Sequence, residues 1–389
     1  MTDTEIKPFS VDIPQAEVER LHKKLKDIRP PVKDVVPQAG KDYGFSTEWA
    51  TDLYNYWMND FSWPEAQDHI NSFPQYTTLI EDLKIHFIHR RSTDPNAVPI
   101  LLIHGWPGSF YEFSELIPLL SHPKDSSAQA FHCIAPSLPG FTFSSPPPHK
   151  GWTVRDTARL FDALMLRLGY EHYFVQAGDW GQFVARELGA NYSHHCRALH
   201  LNWCPGALPE HLTDADLTER EKYCRDRIIN WRTQHIGYAV LMRTRPHCVG
   251  WMLQDNPVGL LAFVGEKYEE ASNPAIQGTT KWKDHVLTTV CLYYFTDCIM
   301  TSSLIYYENA PHDQFPKYMM AAENSINCPF GYTSRIYDTS PNTKRAVERT
   351  GNLVWYKERD DSGHFAALED PVGMAEDVRE VVAKFWPNA

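Results

Sequence analysis

The sequence has 389 residues, which is enough for about two domains and a large buried core. Its 37 basic and 49 acidic side chains give a net charge of −12, which disfavours nucleic acid and anionic membrane surfaces as partners. It contains no run of 18 or more apolar residues, and its N-terminus has no secretion-signal pattern. The eight cysteines form no Cys-x-x-Cys pair and no zinc-like cluster, so free thiols in a reducing, cytoplasmic compartment are expected.

The first 94 residues show no regular alternation of strands and helices. An apolar stripe at helical spacing predicts a first helix from near Pro14 to just before Arg29-Pro30-Pro31. Helices rich in aromatic residues are predicted at residues 47–59 and from Trp63 to Asn71. Because the segment is rich in Trp and Tyr, we expect it to wrap against the rest of the chain, in a structural role.

From Leu83 onward the pattern changes to strands separated by helices. Alternating or continuous apolar runs predict strands at residues 84–89, 98–104, 131–135, 172–176 and 198–203. Thr153 and Asp156 have the spacing of a capping box at the start of a helix with one apolar face. This rhythm predicts a doubly wound, mostly parallel sheet that binds ligands at the carboxyl ends of its strands.

The strand–helix rhythm stops at Pro205 and resumes late in the chain. Residues 205–320 are predicted to be helical, with many Trp, Tyr and Met residues and no clear strand. A strand at residues 352–356 and a final helix with an apolar face then complete the pattern. The predicted division is an N-terminal segment at 1–94, a core at 95–204 and 321–389, and a helical cap inserted at 205–320.

The segment Ala177-Gly178-Asp179-Trp180-Gly181 lies between a predicted strand and a predicted helix that we expect to end at Gly189. Its spacing of small residues is typical of a nucleophile elbow, a sharp turn that lifts one side chain above the sheet. The central residue is Asp179, where an esterase has serine. A carboxylate can displace at an sp³ carbon and leave an ester that water cleaves. The alternative is an ordinary Gly/Asp turn.

A second motif, His104-Gly105-Trp106-Pro107-Gly108-Ser109, follows a predicted buried strand. Such a turn can point backbone N–H groups toward a reacting centre. We therefore expect the N–H groups of Trp106 and Trp180 to form an oxyanion hole. A turn without catalytic meaning is the alternative.

His364 is the histidine best placed to act as a base, because it follows the last predicted strand and precedes the last helix. It also fits the chain order of nucleophile, acid and histidine. Asp338, 26 residues upstream, is the predicted acid. Asp360 and Asp361 are too close along the chain to orient the ring easily, and Glu323 is held in reserve.

Four segments together resemble one enzyme family: His104–Ser109, Pro136–Ser144, Ala177–Gly181 and Gly363–Glu369. In this order they are similar to the α/β-hydrolase-fold epoxide hydrolases, most closely the microsomal and fungal branch. The N-terminal segment resembles the extension that this branch carries. Because the chain shows no membrane anchor of the microsomal kind, the resemblance points to the soluble fungal-type forms and a cytoplasmic location.

The resemblance implies that two cap tyrosines hold the epoxide oxygen. Tyr238 and Tyr306 match the surroundings of these tyrosines in the family, and Tyr307 is an open alternative to Tyr306. A leaving epoxide oxygen needs a proton donor, and a phenol with a pKa near 10 stays protonated at neutral pH.

The sequence therefore predicts an enzyme that converts an epoxide and water to a vicinal diol through an ester on Asp179, which water activated by His364 cleaves. No metal or organic cofactor is expected, and a homodimer is a candidate assembly. Two alternatives remain at this point: a haloalkane dehalogenase, which would release halide, and an α/β-hydrolase fold without turnover that serves as a receptor.

Overall fold

The computed structural model describes residues 5–30 and 33–386. Residues 1–4, Pro31 and residues 387–389 lie outside these ranges. Part of the expectation of no secretion signal therefore falls outside the described residues. The same holds for Pro31, which we expected to follow the first helix. Within the described ranges, no helix combines the length and the apolar character that crossing a membrane requires.

In the part of the chain that the structure describes, nine strands form one central sheet, in the order β1-β2-β3-β5-β4-β6-β7-β8-β9. Neighbours from β5 to β9 pair in parallel, whereas β1, β2 and β3 form an antiparallel edge that joins the rest through β5. The strands are β1 (Lys7–Phe9), β2 (Gln75–Ile80), β3 (Leu83–Arg90), β4 (Val98–Ile103), β5 (Phe131–Pro136), β6 (Tyr173–Ala177), β7 (Cys196–Leu201), β8 (Ile326–Arg335) and β9 (Gly351–Arg359). The expectation of a mostly parallel sheet is confirmed.

The helices surround this sheet and fill the interval between β7 and β8. They are α1 (Gln15–Asp27), α2 (Thr47–Asn59), α3 (Trp63–Asn71), α4 (Leu116–Ser121), α5 (Val154–Arg167), α6 (Asp179–Asn191), α7 (Glu219–Asn230), α8 (Gly237–Thr244), α9 (Pro246–Leu253), α10 (Pro257–Glu270), α11 (Thr280–Phe295), α12 (Ile299–Ser302), α13 (Leu304–Tyr307), α14 (Phe315–Met319), α15 (Lys344–Val347), α16 (Ala366–Glu369) and α17 (Pro371–Phe385). Helices α5 and α6 pack together on the sheet, as do α4 and α17.

Three strands were missed from the sequence, β1, β2 and β8, and each has a physical reason. Strand β1 has only three residues, and β2 carries two adjacent threonines, so neither shows an apolar period. A two-residue turn with positive φ at Glu81 and Asp82 joins β2 to β3, as in type I′ hairpins. Strand β8 contains Pro329 where its pairing with β9 shifts register, together with several polar residues, which hid it from pattern analysis.

The prediction that the helix after the elbow ends at Gly189 is wrong, because α6 continues to Asn191. Gly189 serves close packing instead. A Cβ atom there would lie 2.8 Å from Leu199 Cδ2 and 2.9 Å from Ile326 Cγ2. The residue is small because the helix rests directly on the neighbouring strands, which positions the start of α6 above the sheet.

The N-terminal helices pack against the cap, as expected of a structural wrap. Helix α1 contacts α10, α2 contacts α10 and α11, and α3 contacts α11. The Arg20 guanidinium and the Lys24 ammonium group both pair with the Asp255 carboxylate, at 2.5 and 2.6 Å, between α9 and α10. Trp57 and Trp63 are buried in this interface. The domain boundaries at residues 94, 204 and 320 stay predictions, since the same hydrophobic core runs across them.

The first turn of α6 depends on close contact with the end of β4. A Cβ atom at Gly181 would lie 2.2 Å from the Ile103 carbonyl oxygen and 2.7 Å from that of His104. We expect Gly181→Ala to lower the free energy of unfolding by about 1–3 kcal/mol, because backbone must move to admit the methyl group. Chemical denaturation measures the change. Gly237→Ala, at a helical glycine with open space around it, is the matched control and should leave stability nearly unchanged.

Candidate active site

The turn between β6 and α6 holds Asp179 in a strained conformation. Its φ is +44°, in the left-handed region that residues with a side chain seldom adopt. The turn is tight, since a Cβ atom at Gly178 would lie 2.7 Å from the side-chain amide of Asn202. The geometry is that of a nucleophile elbow, with the Asp179 carboxylate presented at the carboxyl end of the parallel strands.

The loop after β4 brings a backbone donor to this carboxylate. The Trp106 N–H donates to Asp179 Oδ1 at 2.8 Å, and a Cβ atom at Gly105 would lie 2.1 Å from the same oxygen. Trp180 follows Asp179 in the first turn of α6, where helical geometry leaves N–H groups without intrahelical acceptors. The Trp106 N–H, one of the two predicted oxyanion-hole donors, thus faces the carboxylate directly. The role of the other predicted donor, the Trp180 N–H, stays a prediction.

His364 lies between two carboxylates. Its Nε2 is 3.5 Å from Asp179 Oδ2, and its Nδ1 donates to Asp338 Oδ1 at 3.0 Å. The residue reaches this place on the loop between β9 and α16, and Asp338 follows β8. The structure therefore brings together three side chains that are far apart in the sequence.

The two carboxylates set the charge of the imidazole. Burial of the ring disfavours its protonated form, but the charges of Asp338 and Asp179 outweigh burial and raise the pKa of His364 well above its ordinary value. Asp338 Oδ1 also accepts from the Ser340 N–H at 3.2 Å and the Thr339 hydroxyl at 3.1 Å, which fix the carboxylate.

The other acids considered from the sequence lie elsewhere. Asp360 pairs with Arg220, and Asp361 accepts a hydrogen bond from the Ser362 hydroxyl. Glu323 is exposed on the surface. The geometry thus favours Asp338 among the candidates.

Tyr238 and Tyr306 face the nucleophile from the cap. The Tyr238 ring stacks on that of Trp106, with centroids 5.1 Å apart, and the Tyr306 ring meets the Trp180 ring edge-on at 4.9 Å. The two phenol rings are 6.0 Å apart. The buried Tyr306 hydroxyl has no hydrogen-bond partner of standard geometry among the described residues. A buried donor without an acceptor can serve a bound ligand.

Burial and negative charge keep both phenols protonated. Desolvation, followed by the charge of Asp179, raises the pKa of Tyr238 well above 10. Desolvation raises the pKa of Tyr306 as well, with neighbouring Tyr238 and Asp179 adding to the effect. Tyr307, the open alternative, is 51% exposed, whereas Tyr306 is 1% exposed. The structure therefore places Tyr306, and not Tyr307, next to the nucleophile.

A narrow aromatic cavity surrounds Asp179 and His364. Its walls include Trp106, Trp203, Trp231, Phe315 and Phe365. Trp231 begins a five-residue π-helix between α7 and α8, a feature often found at functional sites. Such a wall suits an apolar ligand.

A wider cleft shares Trp231, Tyr238 and Lys267 with the aromatic cavity, and it reaches the N-terminal segment at Tyr43. Trp231, Tyr238 and Lys267 thus form the boundary between the inner cavity and the outer cleft.

Within residues 5–30 and 33–386, no group of three or more His, Cys, Asp or Glu side chains is arranged to hold an ion. His104, the first residue of the His104–Ser109 motif, has a structural role. Its ring contacts the Gly105 carbonyl at 3.0 Å and accepts from the Leu138 N–H at 3.1 Å. Burial lowers its pKa to about 4, so the ring is neutral.

Two residues at the site were missed from the sequence. The Lys267 ammonium group lies 4.2 Å from the centre of the Tyr238 ring and pairs with Glu270 at 2.8 Å. A lysine in a largely apolar helix was the available signal. Glu369 accepts hydrogen bonds from the backbone on both sides of His364, and its only signal was its place five residues after the histidine.

Comparisons with known proteins agree with this geometry. Residues 6–113 match the family model of the epoxide hydrolase N terminus, and residues 98–220 match that of the alpha/beta hydrolase fold. A putative epoxide hydrolase of Stigmatella aurantiaca is 36% identical over 96% of this chain and 84% of its own length. Epoxide hydrolase 1 of Sus scrofa is 32% identical over 97% of this chain and 88% of its own.

The structure of Aspergillus niger epoxide hydrolase aligns with a TM-score of 0.89 and 35% identity, over 99% of this chain and 98% of that one. The predicted α/β-hydrolase fold is confirmed, and an epoxide hydrolase replaces the alternatives of a haloalkane dehalogenase and a receptor. The chain belongs to the epoxide hydrolase family, whose general mechanism passes through an aspartyl ester that a histidine-activated water cleaves.

Proposed function

We propose that five side chains of this chain convert an epoxide to a vicinal diol: Asp179, His364, Asp338, Tyr238 and Tyr306. The observation that carries the proposal is the His364 ring held between Asp338 and Asp179, with both cap phenols facing the same carboxylate. This arrangement supplies a nucleophile, a base with its orienting acid, and two proton donors near the Asp179 carboxylate.

In the first half-reaction, an Asp179 oxygen attacks one epoxide carbon and the bond from that carbon to the ring oxygen breaks. The ring oxygen takes a proton from a phenol, and an ester remains on Asp179. Because burial keeps Tyr238 and Tyr306 protonated, both can donate to the developing alkoxide.

In the second half-reaction, water attacks the ester carbonyl carbon and gives a proton to His364 Nε2. The Trp106 N–H, and with it the Trp180 N–H, stabilises the oxyanion. The tetrahedral intermediate collapses, the diol oxygen takes the proton from His364, and the proton left on the regenerated Asp179 acid returns to the phenolate. One water is consumed, and one of its atoms stays in the Asp179 carboxylate.

The charge of Asp179 connects the two half-reactions. In the free enzyme it helps raise the pKa of His364, so the ring favours its protonated form. Ester formation removes this charge and lowers the pKa of His364, so the ring releases its proton to solvent and can then accept one from water; it takes up a proton again when hydrolysis restores the Asp179 carboxylate. The base is therefore activated by the product of the first step.

Two further properties stay predictions of the sequence, namely a homodimer and a cytoplasmic location. The eight cysteines are free thiols, seven of them buried, which supports a reducing compartment.

His364→Gln should separate the half-reactions. We expect the variant to alkylate, because attack on the epoxide uses Asp179 and the phenols, and to hydrolyse the ester roughly 10²–10⁴-fold more slowly, the range of general-base catalysis. Intact-mass spectrometry during turnover should show an adduct of one substrate mass. A folded variant that turns over epoxide without accumulating an adduct would contradict the role of His364.

The two phenols are expected to share proton donation. Tyr238→Phe and Tyr306→Phe should each keep partial activity, and the double variant should lose roughly 10²–10³-fold or more in the alkylation rate, as for the loss of one charge-stabilising donor. Single-turnover quenched-flow measures this rate. Tyr307→Phe is the matched control and should behave as wild type. Alkylation at the wild-type rate in the double variant would refute the assignment.

Asp179→Asn should lower the pKa of His364, because it removes one of the two carboxylates that favour the protonated ring. An NMR titration of the imidazole signals measures the pKa in both proteins. An unchanged His364 pKa would mean that the carboxylate of Asp179 does not control the base.

A further inference from the structure

Glu369, the last residue of α16, makes an unusual set of contacts around the loop that carries His364. Its Oε2 accepts from the Gly363 N–H at 2.9 Å, and its Oε1 accepts from the Phe365 N–H at 3.0 Å. Oε2 also accepts from the Asn273 N–H at 2.9 Å. One carboxylate thus binds the backbone immediately before and after the base, and the backbone of the cap as well.

The cap holds the same loop through contacts of its own. The His364 N–H donates to the Ala271 carbonyl at 2.8 Å, and the Asn273 side-chain amide donates to the Asp361 carbonyl at 2.8 Å. The Phe365 ring stacks on that of Tyr268 in α10, with centroids 3.9 Å apart and planes at 11°. All three consecutive N–H groups from Gly363 to Phe365 are therefore satisfied, two by Glu369 and one by the cap.

We propose that Glu369 is a positioning residue for the hydrolytic half-reaction: it fixes the backbone of His364 and joins this loop to the cap. The proposal rests on the role of His364 in the proposed function. Glu369 acts through the loop, since its hydrogen bonds go to backbone N–H groups and leave the reacting atoms to Asp179, His364 and the phenols.

A carboxylate suits this position for a reason of hydrogen-bond chemistry. When ionised it only accepts, so its two oxygens can take all three N–H donors. A glutamine would place its own N–H₂ group against at least one of them, and an apolar side chain would leave buried donors unsatisfied. Burial raises the pKa of Glu369 to about 7, while the three N–H groups oppose this shift and favour the charged form.

The expected consequence is specific to one step. Water attacks the ester only if His364 Nε2 points at it, and a displacement of about 1 Å can cost roughly 10²-fold in rate. Attack of Asp179 on the epoxide does not use His364. A loss confined to hydrolysis therefore marks positioning, whereas a general loss of folding would reduce both half-reactions.

The test is Glu369→Gln in the full-length protein, with both half-reactions measured in single turnover. We expect alkylation within about 2-fold of wild type and hydrolysis of the ester slowed roughly 10- to 100-fold, with the ester seen by intact-mass spectrometry. Glu369→Asp keeps a carboxylate acceptor on a shorter side chain, so its rate of ester hydrolysis should lie between those of wild type and Glu369→Gln. Glu348→Gln, at an exposed glutamate, is the matched control and should equal wild type.

Each outcome decides the matter. If Glu369→Gln or Glu369→Asp hydrolyses the ester at the wild-type rate, or if alkylation slows as much as hydrolysis, the proposal is overturned. If Glu369→Gln does not fold, the rates of Glu369→Asp decide alone. His364→Gln, measured in parallel, distinguishes a failure of the positioning role from a failure of the proposed function. If it accumulates ester and the Glu369 variants do not, only the positioning role fails; if it accumulates none, the proposed function fails, and the positioning role with it.

Discussion

The left-handed backbone of Asp179 is the constraint on which the site depends. A side chain at φ +44° is held there only because the surrounding backbone closes tightly on the turn. Added Cβ atoms at Gly105 and Gly181 would fall within 2.1 and 2.2 Å of neighbouring atoms, in one case the nucleophile itself. The same closeness brings the Trp106 N–H to 2.8 Å from the carboxylate. Nucleophile and oxyanion donor are thus fixed by a single packing arrangement between β4 and the start of α6.

A second level of organisation is electrostatic. Asp179 favours the protonated forms of three neighbours, His364, Tyr238 and Tyr306, whose pKa values it helps to raise. Protonated phenols are what ring opening needs, while a neutral imidazole is what hydrolysis needs. In the proposed mechanism, the esterification of Asp179 removes the charge that opposes the neutral imidazole. The loss of one charge therefore changes the proposed site from a state suited to ring opening to a state suited to ester hydrolysis, without a rearrangement of the backbone.

The sequence predicted the parts of the molecule where function or burial leaves a dense local pattern. The elbow at Asp179, the turn at Trp106 and the loop at His364 combine small residues with one reactive group, so each was found. Most parallel strands were predicted because they are apolar runs in the sequence. Helices α2 and α3 were predicted at their observed residues. Strand β8 was missed because Pro329 and polar residues interrupt it, and Gly189 was misread because close packing and helix termination both select glycine.

Other features depend on contacts between distant segments and leave no local pattern. Tyr306 and Tyr307 are adjacent in one short helix, and only the packing of the cap buries the first and exposes the second. The Lys267 ammonium group of α10 lies over the ring of Tyr238 in α8, a contact between two separate helices of the cap. Glu369 was part of a recognised motif, but its role depends on Asn273, almost 100 residues earlier, which the fold brings to the same carboxylate. Such pairings come from the tertiary arrangement.

The cap contributes to both proposed half-reactions, because it contacts the site in two places: near Asp179 through two phenols, and at the His364 loop through its backbone. Tyr238 and Tyr306 are its proposed donors to the epoxide oxygen, while Ala271 and Asn273, just after α10, hold the loop of His364. Tyr238 is also tied to α10 through Lys267, which lies in the wall shared by the inner cavity and the outer cleft. A displacement of α10 that widened this passage would therefore move a proton donor and the support of the base together. Because proton donation and water activation both require close placement, the site is complete only with the cap closed on the core.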